Sequence, residues 1–214
     1  DWPGVAGVVH AAGVLHDATL ANQTADKLQQ SYAVKVQGAR HLRAVLQPRD
    51  FLLLFSSAAA TFGSPGQASY AAANTALDAL AREWGQANEA VLSIQWGAWS
   101  DAGMAQRNQA VKRAEQAGMG SISNQLGRAV LASLLARGKR GTVFVSPVDW
   151  HRVTLDMPLL AHVRREQASQ TRNDNTLTNA LTNSLTSVDA TKSAAHTVDD
   201  LYAIVRSAAT EVIG

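Results

Sequence analysis

The stretch that decides the fold runs from residue 51 to residue 81: FLLLFSSAAATFGSPGQASYAAANTALDALA. It opens with Phe51 to Ser57, a continuous apolar run entered from Asp50 and closed by two serines. A run without polar alternation is the pattern of a strand covered on both faces, because a half-exposed strand places every second side chain in water. Gly63-Ser-Pro-Gly66 supplies a turn, since glycine reaches positive φ at little steric cost and proline fixes its own φ. From about Gln67 to Ala87 the alanine-rich sequence predicts a helix. A buried strand followed by a helix is the repeating step of a parallel α/β sheet.

The flanking sequence repeats that step. Upstream, Val5 to His10 (VAGVVH) reads as a short buried strand ending in the small-residue turn Ala11-Ala12-Gly13. Asn22 and Thr24 offer N-cap oxygens for a helix reaching Leu46, with apolar positions at Leu28, Tyr32, Val34, Val36, Ala39 and Leu42. Downstream, VLSIQW at 91–96 and GTVFVSP at 141–147 are two further strands, separated by a mostly helical insertion over about 98–138 that carries Gly103, Gly118 and Gly120. The expected fold class is therefore α/β with a doubly wound parallel sheet. In such sheets ligands sit beyond the carboxyl ends of the strands. AAG, FSSAAA and WGAWSDAG each follow a strand, so three loops converge on one crevice.

Composition bounds the function. A chain of 214 residues can bury one sizeable core, and 46% hydrophobic with 17% charged residues is the balance of a globular protein. The net charge of +2 and the lack of a Lys/Arg run with interleaved aromatics speak against nucleic acid. The longest apolar run, AVLASLLA at 129–136, is too short to span a bilayer. With no cysteine, disulfides, thiolate metal sites and a thiol nucleophile are excluded, and no metal is expected. Residues 166–196 are rich in Thr, Asn, Ser and Ala and lack the large apolar side chains that offset ordering entropy, so a disordered linker is expected there. An amphipathic helix begins at Thr197, with Leu201, Ile204, Val205, Ala208 and Val212 on one face. The chain has no initiator Met and ends within this helix, as a segment of something larger would.

Tyr70 and Asn74 lie four apart, so they share a face of the predicted helix. A phenol with its ordinary pKa near 10 is a poor proton carrier at neutral pH unless a nearby cation lowers that value, and Lys35 on the preceding helix is the candidate cation. Ser56 and Ser57 end the strand before Tyr70, where a hydroxyl can bond a substrate carbonyl oxygen. Serine, tyrosine and a positive charge beside a dinucleotide crevice are parts for carbonyl reduction: the serine orients the oxygen, the tyrosine protonates it and the cofactor delivers hydride. Taken singly, each has a plainer reading. A tyrosine opening a buried helix is ordinarily core, a serine pair ending a strand is ordinarily a cap, and a lysine on an amphipathic helix ordinarily faces solvent.

HAAGVLHD, KVQGARHL, FLLLFSSAAATFGSPGQASYAAANTALDALA and SIQWGAWSDAGMA, in that order, resemble the catalytic half of ketoreductase domains from modular type I polyketide synthases, members of the short-chain dehydrogenase/reductase superfamily. The resemblance covers about residues 1–160 and implies the C-terminal half of a Rossmann-like sheet. It implies Tyr70 as proton donor and Ser57 as the hydroxyl on the β-keto oxygen, with Lys35 and Asn74 completing the tetrad. Most of the superfamily carries lysine four residues after the tyrosine; the polyketide enzymes resemble this chain, with asparagine there and lysine on the preceding helix. Ala11, Ala12 and Gly13 match the loop against the cofactor, and Trp96 and Gly97 the loop past the nicotinamide. Trp99 is either substrate-facing or a lid anchor, the second being favoured. Leu15-His16-Asp17 resembles the LDD stretch of B-type enzymes, which give a D-hydroxyl. Gln67 stands where A-type enzymes carry tryptophan, and no proline follows Tyr70 by two residues to mark epimerisation.

The implied protein is an NADPH-dependent β-ketoacyl reductase of the B type, non-epimerising, cytoplasmic, acting on a substrate tethered by phosphopantetheine to a neighbouring carrier domain. The tail resembles the beginning of an acyl carrier protein, whose phosphopantetheine serine would lie beyond Gly214. The implied division is 1–165 for the ketoreductase half (with a lid over about 98–138), 166–196 for the linker and 197–214 for the carrier domain. No TGxxxG-like phosphate-binding turn is present, so the 214 residues alone are expected to bind cofactor poorly and to be inactive. The competing class is a non-catalytic ketoreductase-like half that braces such modules; Lys35, Ser57, Tyr70 and Asn74 together argue against it. A freestanding reductase is a further alternative, opposed by the linker and the tail.

Overall fold

Four short apolar runs become four strands; helices cover both faces of the second and third, whereas the first, expected as a buried strand, leaves Val9 48% exposed. The computed structural model of the protein describes residues 4–47, 50–87, 89–101, 110–149, 152–153 and 160–161. The expected linker and carrier-domain helix, and Gly103 in the expected lid, lie outside the described residues. β1 (Gly7–His10), β2 (Phe51–Ser57), β3 (Val91–Trp96) and β4 (Gly141–Val145) form one sheet in the order β1-β2-β3-β4, every pair parallel. Parallel neighbours need crossovers, which the helices supply. Between β1 and β2 lie α1 (Ala25–Tyr32) and α2 (Gly38–Leu46), and between β2 and β3 lie α3 (Ala59–Phe62) and α4 (Ala68–Gln86). Between β3 and β4 lie α5 (Ala110–Gln116) and α6 (Asn124–Ala136). The doubly wound parallel α/β fold expected from the sequence is the one observed.

Alternation along β2 divides the core into two. Leu52 and Leu54 face one side with Val8, Val36, Ala39, Leu77, Leu80, Trp84 and Val91, under α2 and α4. Leu53 faces the other with Leu92, Ile94, Trp96, Val143 and Val145, under Ile122, Val130 and Leu134 at and within α6. The segment expected as a lid is thus not all lid. α6 is the crossover helix that closes the second face, and Gly127 within it makes room for Trp99, whose ring would stand 2.1 Å from a Cβ there. Trp99 also meets Trp96 edge-on at 5.0 Å between centroids and at the same time lines the cavity described below, so it is packed as an anchor and faces the site.

The long helix predicted to reach Leu46 departs from expectation in its middle. Thr24, not Asn22, caps it, its side chain accepting from the Lys27 N–H. Between α1 and α2 the backbone forms a π turn over Ala33–Gln37. Leu28 is not core but 44% exposed, and the buried residue of α1 is Ser31. The short α3 was not expected. It fits between Ser57 and the turn at Gly63 and Gly66, both of which adopt positive φ.

Candidate functional site

The carboxyl ends of β2 and β3, the start of α4 and the π turn meet at one crevice. Ser57 is the last residue of β2, and its Oγ accepts from the Ala59 N–H at 3.2 Å, so its own O–H can point outward. Tyr70 lies in the first turn of α4, held over the strand end by the turn at Gly63–Gly66. Asn74, one turn on, is fully buried, and its Nδ2 donates to the Tyr70 carbonyl at 2.8 Å. Lys35 projects from the π turn and is 3% exposed. Its Nζ donates to the Phe55 carbonyl at 2.6 Å and lies 5.7 Å from the centre of the Tyr70 ring. The structure therefore brings Lys35, Ser57, Tyr70 and Asn74 together. Ser56, one residue earlier, points to the opposite side and donates to the Asn74 carbonyl, so it braces α4.

Burial sets the electrostatics. It pushes the Tyr70 phenol above its ordinary value, opposed more weakly by hydrogen bonding from Ser57 and Asn74. This corrects the expectation that Lys35 lowers the phenol: desolvation wins and the phenol stays protonated at neutral pH. Burial brings Lys35 itself down to about 8, partly countered by the Asp78 carboxylate. At pH 7 the amine is still mostly cationic.

A cavity of about 540 Å³ opens onto these groups, lined among others by Lys35, Ser57, Tyr70, Ala11, Trp96 and Gly97. Of the residues expected at the cofactor, Ala11, Trp96 and Gly97 line it, while Ala12 and Gly13 do not. Gly97 has a packing reason as well, because a Cβ there would stand 2.5 Å from Ser146 Oγ. Asn74 lies behind the wall and reaches the cavity only through Tyr70. Gln67 lines the cavity and its Nε2 donates to both carboxylate oxygens of Asp17, at 3.2 and 3.3 Å. The two residues singled out for stereocontrol are thus hydrogen-bonded partners. His16 contributes its carbonyl, which accepts from Gln23 Nε2.

Two buried polar residues on the same side were not anticipated. Asp78, two turns beyond Tyr70 on α4, accepts from Ser93 Oγ at 2.6 Å and Gln95 Nε2 at 2.7 Å, and burial raises its pKa. Its i+4 spacing from Asn74 was the signal available. His10, the last residue of β1, was read only as a strand end, yet its ring reaches the backbone of the π turn. The described residues contain no group of His, Asp or Glu placed to hold a metal ion, and no helix long and apolar enough to cross a membrane.

Comparison with known proteins bears on the same residues. The KR domain family matches residues 1–101. Polyketide synthase GfsA of Streptomyces halstedii is 38% identical over 154 residues, which is 71% of this chain and 2% of that protein. A phthioceranic/hydroxyphthioceranic acid synthase of Mycobacterium bovis (strain BCG / Pasteur 1173P2) is 54% identical over 102 residues, 46% of this chain and 5% of that one. Among solved structures, an A-type ketoreductase from a modular polyketide synthase superposes with a TM-score of 0.63 at 34% identity, covering 68% of this chain and 31% of the other. The first ketoreductase of the tylosin synthase gives 0.62 at 33%, covering 69% and 33%. The chain spans a few per cent of these synthases and about a third of the solved ketoreductase chains. The parallel sheet, the crevice and these matches agree: residues 1–101 match the KR domain family, and the chain is similar to polyketide synthase segments and to solved polyketide synthase ketoreductases.

Proposed function

We propose that the crevice is the catalytic wall of a β-ketoacyl reductase within a polyketide synthase module. The observation that carries this reading is the convergence of the Tyr70 phenol, the Ser57 hydroxyl and the Lys35 ammonium on one cavity. The Ser57 O–H, its oxygen already engaged by the Ala59 N–H, donates to the β-keto oxygen and fixes its position. Tyr70 gives that oxygen a proton as it becomes a hydroxyl, and the raised phenol pKa keeps the proton in place until then. Lys35 supplies the positive charge that stabilises the resulting phenolate. Asn74 holds the first turn of α4 through the Tyr70 carbonyl.

The residues fit a nicotinamide cofactor. Ala11, Gly97 and Ala98 line the cavity with little side-chain bulk, so a flat ring can approach the Ser57–Tyr70 pair. The Trp96 indole N–H is buried without a protein partner and offers a donor beside it. Bound there, the cofactor supplies hydride to the keto carbon. NADPH, rather than NADH, follows from the family resemblance. The Asp17–Gln67 pair at the rim suits the B type and a D-hydroxyl, and the lack of a proline at Ala72 suits the absence of epimerisation.

In this reading residues 1–165 are the ketoreductase half, 166–196 a linker and 197–214 the start of a carrier domain. The partners are that carrier domain, bearing the acyl chain on phosphopantetheine, and the other domains of a cytoplasmic synthase. The chain lacks a phosphate-binding glycine turn and spans a third of the solved ketoreductases, so cofactor binding draws on polypeptide outside it and the 214 residues alone reduce nothing. The test is reduction of a β-ketoacyl thioester by the full-length synthase with NADPH or NADH, with chiral analysis of the product. A D-hydroxyacyl product, faster with NADPH, and mixed configuration from Asp17→Ala are expected. No turnover in a folded, cofactor-binding protein contradicts catalysis and leaves a bracing element.

A further inference from the structure

The helix that carries Lys35 is not an α-helix where Lys35 sits. Over Ala33–Gln37 the backbone widens into a π turn, a geometry that shifts the hydrogen-bond register and redirects the side chains within it. Such a turn is less favourable than the α-helix on either side, so something must hold it. His10, at the carboxyl end of β1, reaches across with its Nε2 2.9 Å from the Lys35 carbonyl, the residue pair being 25 apart in sequence. A carbonyl only accepts, so His10 carries its proton on Nε2. The imidazole is 5% exposed, and its burial lowers its pKa, which keeps it a neutral donor. Room for the ring comes from Gly38, the first residue past the π turn: a Cβ there would stand 3.2 Å from His10 Cε1. Gly38 has ordinary right-handed helical backbone angles, so its conformation gives no reason for glycine.

We propose that His10 is a positioning residue for the reaction: its Nε2–H grips the Lys35 carbonyl, fixes the π turn, and thereby aims the Lys35 ammonium at Phe55 O and the Tyr70 ring. Lys35 is then held at two points, its carbonyl by His10 and its ammonium by the Phe55 carbonyl at 2.6 Å. One clamp comes from β1 and the other from β2, so the sheet fixes the distance between lysine and tyrosine. His10 does not line the cavity and touches no reacting atom. The inference rests on the reductase reading above.

The test compares the full-length synthase with Tyr70→Phe, His10→Ala, His10→Gln and Gly38→Ala, by steady-state reduction of a β-ketoacyl thioester and by thermal unfolding. Glutamine places an amide N–H about where the Nε2–H stands. His10→Ala is expected to lower kcat about tenfold with KM for thioester and cofactor within about twofold of the parent, and His10→Gln to recover most of the loss. Gly38→Ala pushes the imidazole a few tenths of an ångström from the carbonyl while improving helix propensity. It is expected to lower kcat about threefold without lowering the melting temperature. If His10→Ala does not fold, His10→Gln and Gly38→Ala decide. Undiminished kcat in His10→Ala, or in Gly38→Ala where the alanine variant does not fold, overturns the positioning role. A glutamine variant that folds yet is as slow as alanine, or kcat and KM changing together, overturns it too. Tyr70→Phe separates the two layers: full turnover there overturns the reductase reading itself, whereas its collapse beside a fully active His10→Ala overturns only the clamp.

Discussion

The two faces of the sheet bury different things. Under α6 the filling is hydrocarbon and indole: Leu53, Leu92, Ile94, Val130, Leu134, Val143 and Val145, with Phe55, Trp96 and Trp99 in tilted and edge-on ring contacts at the crevice end. Under α2 and α4 the aliphatic core gives way, toward the same end, to His10, Lys35, Ser56, Asn74, Asp78, Ser93 and Gln95, nearly all engaged in hydrogen bonds. Burying a polar group costs free energy unless it is bonded, and burying an ammonium costs more. Asn74 Oδ1 still lacks a partner within the protein. One face is therefore built for cohesion, and the other accepts a thermodynamic cost next to the crevice. The difference teaches that the polar inclusions are kept for what they do there.

Substitutions on each face should break or sharpen that contrast. The largest effect is expected from Tyr70→Phe, with kcat for β-ketoacyl thioester reduction falling about a thousandfold while the melting temperature changes little. Next comes Leu92→Ala on the hydrocarbon face. It should cost about 3 kcal/mol in denaturant unfolding and leave kcat of the folded protein intact. The smallest is a pH effect on the polar face. Reduction needs the Lys35 ammonium, so kcat should decline as pH rises through about 8. Stability moves the opposite way. The folded-state pKa of Lys35 lies below its unfolded value, so the unfolded chain binds more protons between the two and stability rises with pH across that interval.

How much of this was legible beforehand depends on what kind of signal each feature leaves. Strands β2 and β3 matched the predicted runs because a doubly covered strand must be continuously apolar. Tyr70 and Asn74 followed from helical spacing; the residues alone offered Lys35 and either Ser56 or Ser57 as partners, and the family resemblance chose Ser57 and joined all four, since nothing local ties residue 35 to residue 57. The π turn left no trace in the pattern: its cause is a histidine on another element and a glycine that reads as an ordinary helix weakness. The phenol's direction of shift was misjudged because charge was weighed and burial was not, and burial is a property of the assembled sheet. α6 falls inside the segment expected as a lid because the glycines that mark that segment, Gly118 and Gly120 among them, stand just before the helix, and nothing in the sequence shows that Gly127 within it is there for the Trp99 ring.

Lys35→Met tests the contrast most directly, with turnover and thermal unfolding read on the same variant. Methionine keeps the unbranched stem of the side chain, one atom shorter, and removes the buried charge, a change that is often neutral or stabilising when the charge was not there for stability. The expected result is a folded protein at least as stable as the parent at pH 7, without the stability gain above pH about 8, and with reduction slowed about a hundredfold. A variant that loses stability but keeps its turnover would contradict it, and would make the polar face a scaffold.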